Sequence, residues 1–374
     1  MKRSMIAAIT VVALVLGWAQ VLQAEPGPWV KSDSNPVLVP AEWTGGRTGI
    51  TMAVIKEAPD SYKAWYTASA PSGTSLIYRN YYVGYATSSD GLSWTQNAAP
   101  VMSGTADGWD TKGTYTASVL KDGDTYRMWY AGMETTGVRE IGYATSTDGL
   151  AWTKVGTGPV LTATNLWEAG TVYYPSVIKD GDTFKMYYSA RAVNVPDNSP
   201  SEICYATSTD GITWDKPNLG LYSFDGSTAN NIVMPLGAAG SFDVTRATHP
   251  HVIKDGDVYR MWYGGYDEDA TSTDPTTEWA IGYATSTDGI NWTKSLDNPV
   301  LEASQAWELN VGAGRGVQTP WVIRDGDNYK MWYFGYELPN VGRFGYAEAI
   351  PEPATMALLA LGGVGMLLTR RRGK

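Results

Sequence analysis

Four aromatic–acid pairs, each placed ahead of a predicted strand, are the clearest source of acid–base chemistry in this 374-residue sequence. The pairs are Trp109-Asp110, Trp167-Glu168, Phe242-Asp243 and Trp307-Glu308. Cleavage of a glycosidic bond needs two carboxyl groups about 5–10 Å apart, so Glu168, Asp243 and Glu308 are candidate catalytic residues. Asp110 is a candidate substrate-binding residue. The regular spacing of the pairs favours a structural alternative, in which the acids cap strands or hold neighbouring strand units together.

The only two histidines, His249 and His251, flank Pro250 at the start of a predicted strand, with Arg246 just upstream. The matching positions elsewhere hold other residues, namely Thr51, Thr116, Tyr174 and Thr319. Because side chains alternate along a strand, we expect both histidines on one face, where they could bind a substrate hydroxyl, a proton or a metal. Two ligands alone do not make a metal site, so no metal is predicted. We take His249, Arg246 and Tyr174 as candidate substrate-binding residues, with a purely structural His249 as the alternative.

Five copies of one sequence unit, here called repeats one to five, position these residues. Each copy has a doublet of bulky aromatic residues on one strand and a Gly-Tyr-Ala-like segment on the next. The doublets are Trp65-Tyr66, Trp129-Tyr130, Tyr187-Tyr188, Trp262-Tyr263 and Trp332-Tyr333. Asp-Gly turns between alternating apolar runs predict hairpins, and repeats with several short strands are typical of propeller blades. The sequence therefore predicts an all-β fold, a five-bladed β-propeller of four-stranded antiparallel blades.

The first four repeats finish with a Ser-x-Asp-Gly-x-x-Trp segment, whose Trp belongs to the last predicted strand of the repeat. The fifth repeat lacks this Trp strand. Residues 29–38 match residues 292–301 at 7 of 10 positions. We therefore predict that the N-terminal segment supplies the outer strand of the last blade, which closes the ring and removes an exposed strand edge. The predicted blades span about 43–102, 108–161, 167–224, 240–301, and 307–350 together with 29–38.

Charged residues cluster in the long connections, which this topology gathers on one rim, where binding and chemistry usually lie. Glu134, Asp267 and Glu337 follow the second predicted strand of repeats two, four and five. Arg191 lies at the matching place in repeat three, and Arg315 precedes the first strand of repeat five. A ring of such charges suits a polyhydroxylated or acidic sugar, and the alternative is that they are solvated loop charges. No cofactor is predicted.

Both ends of the chain read as targeting segments. Residues 1–24 have the basic start and apolar run of a signal peptide, so we predict export. The last 24 residues combine Pro351-Glu352-Pro353, an apolar stretch over 354–368 and Arg370-Arg371-Arg372. This order resembles the PEP-CTERM sorting signal of Gram-negative bacteria. The resemblance implies transient membrane anchoring through a hydrophobic helix in 351–374, processing by an exosortase-type membrane transpeptidase, and a final place at the cell surface or in the extracellular matrix. An ordinary C-terminal membrane anchor is the alternative.

Composition excludes one class of partner. Residues 25–350 carry 22 basic and 37 acidic side chains, a net charge of −15, so nucleic acid is not expected as a partner. The only cysteine is Cys204, so no intramolecular disulfide can form, and stability must come from packing of the aromatic-rich strands.

The repeats resemble the five-bladed propeller superfamily of arabinanases, β-xylosidases, invertases, levansucrases and mannoside phosphorylases. The likeness rests on residues 174–181 (YPSVIKDG), 128–130 (MWY) and 142–146 (GYATS) and their equivalents, and covers about residues 29–350. It implies a carbohydrate ligand at an axial pocket. In arabinanase-like members a catalytic aspartate precedes the proline of an innermost strand, whereas this sequence has His249-Pro250, Tyr174-Pro175 and Thr319-Pro320.

Two functional hypotheses follow from the residues and the resemblance. The first is an exported enzyme that cleaves or transfers a glycosidic bond. The second is a surface protein that binds a glycan, or builds a matrix, without turnover. Their difference is whether the candidate acids lie across one pocket from each other.

Overall fold

A computed structural model of the protein describes residues 25–39, 44, 48–70, 80–168, 170–191, 200–222, 230–267, 279–309, 316–338 and 341–350. The predicted signal peptide, the sorting tail and Arg315 lie outside the described residues. The described residues fall into two compact groups. The smaller holds 25–30, 324–329 and 348–350, and within it the Gly27 N–H donates to the Ile350 carbonyl at 3.2 Å. All contacts below lie within the larger group, residues 31–323 and 330–347.

The described chain is almost entirely β-structure, as predicted, with short 3-10 turns at Leu166–Glu168 and Ala306–Glu308. The strands are β1 Val30–Lys31, β2 Thr48–Ala58, β3 Ser61–Ala70, β4 Asn80–Ser88, β5 Thr95–Gln96, β6 Met102–Ser103, β7 Gly113–Asp122, β8 Thr125–Met133, β9 Arg139–Ser146, β10 Thr153–Lys154, β11 Val172–Asp180, β12 Thr183–Arg191, β13 Ser201–Ser208, β14 Ile232–Met234, β15 Arg246–Asp255, β16 Val258–Tyr266, β17 Trp279–Ser286, β18 Thr293–Lys294, β19 Val317–Asp325, β20 Asn328–Leu338 and β21 Val341–Ala349. Among these described residues no helix is long and apolar enough to cross a membrane.

Each repeat folds into consecutive antiparallel strands. Repeat two shows the pattern: β7 pairs with β8, β8 with β9, and β9 with β10. The Asp122-Gly123 turn joins β7 to β8, and Gly123 takes a φ of +61° that glycine adopts without strain. Alternate side chains of each strand face the neighbouring repeats, so the core lies between repeats and not at one centre.

Indole groups of three doublets tie one repeat to another. Trp65 Nε1 donates to the Gly149 carbonyl at 2.8 Å, and Trp129 Nε1 donates to that of Gly211 at 2.8 Å. Trp332 of repeat five donates to Gly91 of repeat one at the same distance. These contacts join repeat one to repeat two, repeat two to repeat three, and repeat five to repeat one.

The N-terminal segment lies along β21, as its likeness to residues 292–301 predicts. The Ser32 N–H donates to the Tyr346 carbonyl at 3.0 Å, and the Val37 N–H donates to the Phe344 carbonyl at 2.8 Å. The Lys31 ammonium forms an ion pair with Glu308 at 2.5 Å, the place that Lys294 takes beside Asp243 in repeat four.

Candidate functional site

The first strands of the repeats share a backbone irregularity that builds the site. The first strands β7, β11 and β15 each pair with the strand that follows them, and each pairing contains one register shift. The shift lies between Tyr115 and Ser118 in β7, between Tyr173 and Ser176 in β11, and between Thr248 and His251 in β15. Left-handed backbone occurs at the matching position of four repeats: Thr116, Tyr174, His249 and Thr319 have φ between 50° and 54°. Such values are strained for β-branched and aromatic residues, and strain of this kind concentrates at functional sites.

Hydroxyl groups from the preceding repeat hold these bulges. Thr67 Oγ1 accepts the Thr116 N–H at 2.9 Å, and Thr116 Oγ1 accepts the Tyr174 N–H at 3.3 Å. Ser189 Oγ accepts the His249 N–H at 3.0 Å. Three of the four left-handed positions are therefore held by a neighbouring repeat, which is how a strained conformation is maintained.

The bulges surround a small cavity of about 20 Å³ that is open to solvent. Its lining comprises Thr51, Met52, Thr116, Ala117, Tyr174, Pro175, His249, Pro250, Thr319, Pro320 and Trp321. The cavity thus collects the five positions that differ among the repeats, including two of the predicted binding residues, His249 and Tyr174.

His249 is the polar centre of this cavity. Its ring lies 4.0 Å from the Tyr174 ring and stacks on Trp279 with 4.9 Å between centroids. The residue is 6% exposed, and its Nδ1 is buried without a hydrogen-bond partner. Burial first, and then the charge of Arg246, lower the pKa of His249 well below its usual value, so the imidazole is neutral. Its Nδ1 faces Gly264, where an added Cβ would lie 2.8 Å away.

The prediction that His249 and His251 share a face is wrong. The bulge at 249–250 inserts an extra residue into β15 and breaks the alternation on which that prediction rests. His251 instead packs on Trp321 at 4.2 Å, and its Nε2–H donates to the Val322 carbonyl at 2.8 Å. Burial lowers the pKa of His251 to about 4.

The candidate acids lie in buried ion pairs, and none of them lines the His249 cavity. Glu168 is fully buried, and its carboxylate accepts hydrogen bonds from Tyr188 Oη at 2.7 Å and Lys216 Nζ at 2.6 Å. Two backbone N–H groups, of Thr164 and Asn165, donate to its other oxygen at 2.9 Å. The same arrangement recurs in the other repeats with such an acid, as Asp110 with Lys154 and Tyr130, Asp243 with Lys294 and Tyr263, and Glu308 with Lys31 and Tyr333. This geometry favours the structural alternative for all four acids.

Repeat one performs the same task without charge. Gln96 occupies the position of Lys154, Lys216 and Lys294, and its Oε1 accepts the hydrogen bond of Tyr66 Oη at 2.8 Å. The acid and the lysine are therefore present together or absent together, and the doublet tyrosine is the partner that stays.

The remaining predicted binding residues are dispersed. Arg246 begins β15, and its guanidinium lies over Tyr266 at 4.9 Å and over Trp279 at 5.9 Å, beside the His249 ring. Arg191 ends β12, where its backbone N–H donates to the Thr171 carbonyl at 3.3 Å.

The predicted rim acids lie elsewhere. Glu134 follows β8, and its carboxylate accepts a hydrogen bond from Thr136. Asp267 lines a different cavity of about 540 Å³, together with the candidate acid Asp243, its partner Lys294 and Glu302. Glu337 lies on β20, but its side chain, like the whole of Arg315, is outside the described structure.

Sequence reasoning missed one position in the third strands, three residues before the Gly of the Gly-Tyr-Ala-like segment. That position holds Tyr81, Arg139, Ser201 and Trp279 in repeats one to four. Trp279 supports the His249 ring, and Arg139 lies between two tyrosine rings. The sequence could have indicated this position, because its residues differ from repeat to repeat, whereas scaffold residues recur.

Comparison with known proteins identifies the tail and the fold. The family model of the PEP-CTERM protein-sorting motif matches residues 349–372. An uncharacterized protein of Mycobacterium tuberculosis is 27% identical over 263 residues, which is 68% of this chain and 77% of that protein.

Solved structures of carbohydrate-active enzymes are similar to most of the chain. A glycosyl hydrolase from Bacteroides ovatus has a TM-score of 0.68 at 20% identity, covering 88% of this chain and 97% of its own. A second structure has a TM-score of 0.68 at 18% identity, covering 88% of this chain and 97% of its own. It comes from work on the GH130 family of mannoside phosphorylases, which contains glycoside hydrolases that target β-1,2 mannosidic linkages in Candida mannan. The β-1,2-mannobiose phosphorylase from Listeria innocua has a TM-score of 0.64 at 14% identity, with coverage of 86% and 96%.

The protein therefore has the fold of the glycoside hydrolases and mannoside phosphorylases, and at these identities the fold is what the structures share. It also carries a PEP-CTERM sorting motif at its C-terminus. Both resemblances predicted from the sequence are confirmed.

Proposed function

We propose that this protein is an exported, surface-sorted carbohydrate-binding protein, and that the His249 cavity is its glycan site. We further propose that the larger group of residues is a five-bladed propeller with the predicted blade boundaries, closed by the N-terminal segment. The contact of Trp332 in repeat five with Gly91 in repeat one supports such a ring, as does the pairing of residues 32–38 with β21.

The observation that carries the glycan site is the environment of His249. A buried, neutral imidazole with an unused Nδ1 lies between an aromatic edge, Tyr174, and an aromatic face, Trp279. Sugars present apolar C–H faces beside hydroxyl groups, so stacking rings with one precisely oriented polar atom are what their recognition requires.

Binding without turnover accounts best for the acids. Glu168, Asp243 and Glu308 are each neutralised by a lysine and a tyrosine in a buried site. A general acid or base must reach the reacting bond within hydrogen-bond distance, and these carboxylates are already occupied and lie outside the lining of the His249 cavity. Asp243 lines the other cavity, but Lys294 neutralises its carboxylate there. We therefore place the protein with the non-catalytic alternative.

Export and sorting follow from the two ends. We propose that residues 1–24 direct export and that an exosortase-type transpeptidase processes the tail near Pro351-Glu352-Pro353. The matched sorting motif supports the second step. Anchoring in the membrane would be transient, and the propeller would then lie at the cell surface or in the extracellular matrix.

A glycan array followed by calorimetry tests the site. The His249→Asn variant removes the imidazole but keeps a residue that tolerates left-handed backbone, and we expect its glycan affinity to fall at least tenfold with an unchanged melting temperature. Lys179→Gln, at an exposed position near the Asp180-Gly181 turn, is the control and should bind like the parent protein. Absence of saturable binding to any glycan would refute the proposal, and release of sugar products by the purified protein would refute its non-catalytic part.

A further inference from the structure

Arg139 is a cation whose charge the described protein does not neutralise. Its guanidinium lies 5.7 Å from the Tyr115 ring and 5.4 Å from the Tyr173 ring. Its Nε is buried without a hydrogen-bond partner, and so is the Tyr115 hydroxyl. Among the described residues no carboxylate forms an ion pair with it, whereas the buried or half-buried cations Lys31, Lys154, Lys216 and Lys294 each have one.

Aromatic contacts connect this guanidinium to the His249 cavity. The Tyr173 ring lies 4.8 Å from the Tyr174 ring, which in turn contacts His249. We call Tyr173, Tyr174, His249 and Trp279 the aromatic row. Arg139 lies at one end of the row and Arg246 at the other, over Trp279.

The buried Nε–H of Arg139 is unfavourable unless an acceptor meets it, because it has lost water without gaining a partner. The planar fork of arginine matches a carboxylate, to which it can donate two parallel hydrogen bonds. The Tyr115 hydroxyl, on the ring 5.7 Å from this guanidinium, is a further buried donor without a partner. In a protein of net negative charge, such a cation acts locally and not through the overall field.

We infer that Arg139 and the Tyr115 hydroxyl bind an oxyanion carried by the glycan, the carboxylate of a uronic-acid unit, beside the aromatic row. The ligand of this protein is then an acidic polysaccharide. This inference rests on the proposed glycan site and specifies the chemistry of its ligand. Free inorganic phosphate is the other source of an oxyanion for the same donors.

The test compares uronic-acid oligosaccharides with the same chains after reduction of their carboxyl groups to alcohols, and with inorganic phosphate alone. Calorimetry would use the full protein, Arg139→Gln, Arg139→Lys and Tyr115→Phe. Lys121→Gln is the charge-matched control, since Lys121 is exposed near the opposite end of its repeat and pairs with Glu57. We expect the parent protein and the control to bind the acidic chains at least tenfold more tightly than the reduced ones. Arg139→Gln should bind both forms equally, at the affinity that the parent protein has for the reduced chains, and Arg139→Lys and Tyr115→Phe should fall between.

Each other outcome has a definite meaning. Equal affinity of the parent protein for acidic and reduced chains overturns the inference and leaves the proposed glycan site intact. If Arg139→Gln binds neither the acidic nor the reduced chains, at an unchanged melting temperature, the inference is overturned too. Arg139 would then bind the glycan without interacting with its carboxylate. Tight binding of phosphate with no preference for acidic chains assigns the donors to free phosphate. If Arg139→Gln fails to fold, an undiminished preference in both Arg139→Lys and Tyr115→Phe overturns the inference. Failure to bind any carbohydrate overturns the proposed function as well.

Discussion

At the scale of single residues, the buried acids are better understood as part of the scaffold than as catalysts. Glu168 receives donors from a lysine, a tyrosine and two backbone N–H groups, so its charge is fully solvated by the protein. A buried ion pair of this kind adds little net stability, but removing one partner is costly because the other charge remains buried. Repeat one shows that a neutral group at the lysine position can serve the same tyrosine, through Gln96 and Tyr66.

This reasoning predicts the effect of breaking one pair. We expect Lys216→Gln to lower the free energy of unfolding by about 3–5 kcal/mol, because the Glu168 carboxylate is left in a site with no exposure. The double variant Glu168→Gln/Lys216→Gln should recover most of that loss, since both charges are then absent. Urea unfolding of the parent, single and double variants measures this, and a double variant no more stable than the single would contradict it.

Acid sensitivity should arise in part from His251. Burial lowers the pKa of His251 to about 4, whereas an unfolded histidine has a pKa of about 6.5. Between these values the unfolded chain binds more protons, so the free energy of unfolding falls as the pH falls from about 6.5 to about 4, by at most about 3 kcal/mol. His249 acts in the same direction.

The measurement is urea unfolding at several pH values for the parent protein and His251→Gln. We expect the variant to lose less stability over this range than the parent. Hydrogen bonds from the Thr213 and Ile212 backbone lower the pKa of Asp210 to about 2. Asp210 therefore changes the free energy of unfolding only below about pH 4, outside the pH range in which His251 acts. An identical pH profile for parent and variant would refute the assignment.

At the scale of strands and turns, glycines at the ends of the third strands do two things at once. Gly149 takes a φ of +81°, and its carbonyl accepts the indole N–H of Trp65 in the preceding repeat. A Cβ at this position would lie 2.7 Å from the Trp65 ring. The turn is therefore both a change of chain direction and a contact between repeats.

Gly156 offers a matched control for this double role, because its φ is +78° but a Cβ there would meet nothing within 4 Å. We expect Gly156→Ala to cost about 1–2 kcal/mol, from left-handed backbone alone. Gly149→Ala should cost a further 1–3 kcal/mol or so, because Trp65 must move. Thermal or denaturant unfolding checks the difference, and equal losses would show that the Trp65 contact adjusts freely.

At the scale of the whole molecule, the N-terminal segment behaves as a strand of the last repeat. Asn35 exchanges hydrogen bonds with the Tyr346 backbone at 2.7 and 3.0 Å and donates to Tyr333 Oη at 3.0 Å. Asn298 makes the same pair of bonds with the Tyr283 backbone in repeat four, at 2.7 and 3.0 Å. The segment far from repeat five in sequence thus reproduces an internal strand in detail.

Equivalent roles predict equivalent losses. We expect Asn35→Ala and Asn298→Ala each to lower the free energy of unfolding by about 1–3 kcal/mol, because both leave half-buried backbone and tyrosine groups unsatisfied. If the N-terminal segment were a peripheral tail, Asn35→Ala would have no effect on cooperative unfolding, and that result would contradict the role given to residues 31–38.

Local sequence was enough for the strands, the turns and the partner of the last repeat. Alternating apolar runs and Asp-Gly pairs specify hairpins by chain geometry alone, and the likeness of 29–38 to 292–301 carries over the same hydrogen bonds, including those of Asn35. The contents of the cavity were also partly evident, because Tyr174 and His249 stand where the repeats disagree.

Only the tertiary structure decided which side chains of different repeats contact one another. A bulge in β15, held by Ser189, turned His249 and His251 to different surroundings, and no alternation rule can foresee an inserted residue. Glu168 meets Lys216 across 48 positions of sequence, and Arg139 meets Tyr173 from another repeat. Periodicity governs a strand by itself, whereas the burial and charge compensation of a side chain depend on which surface packs against it.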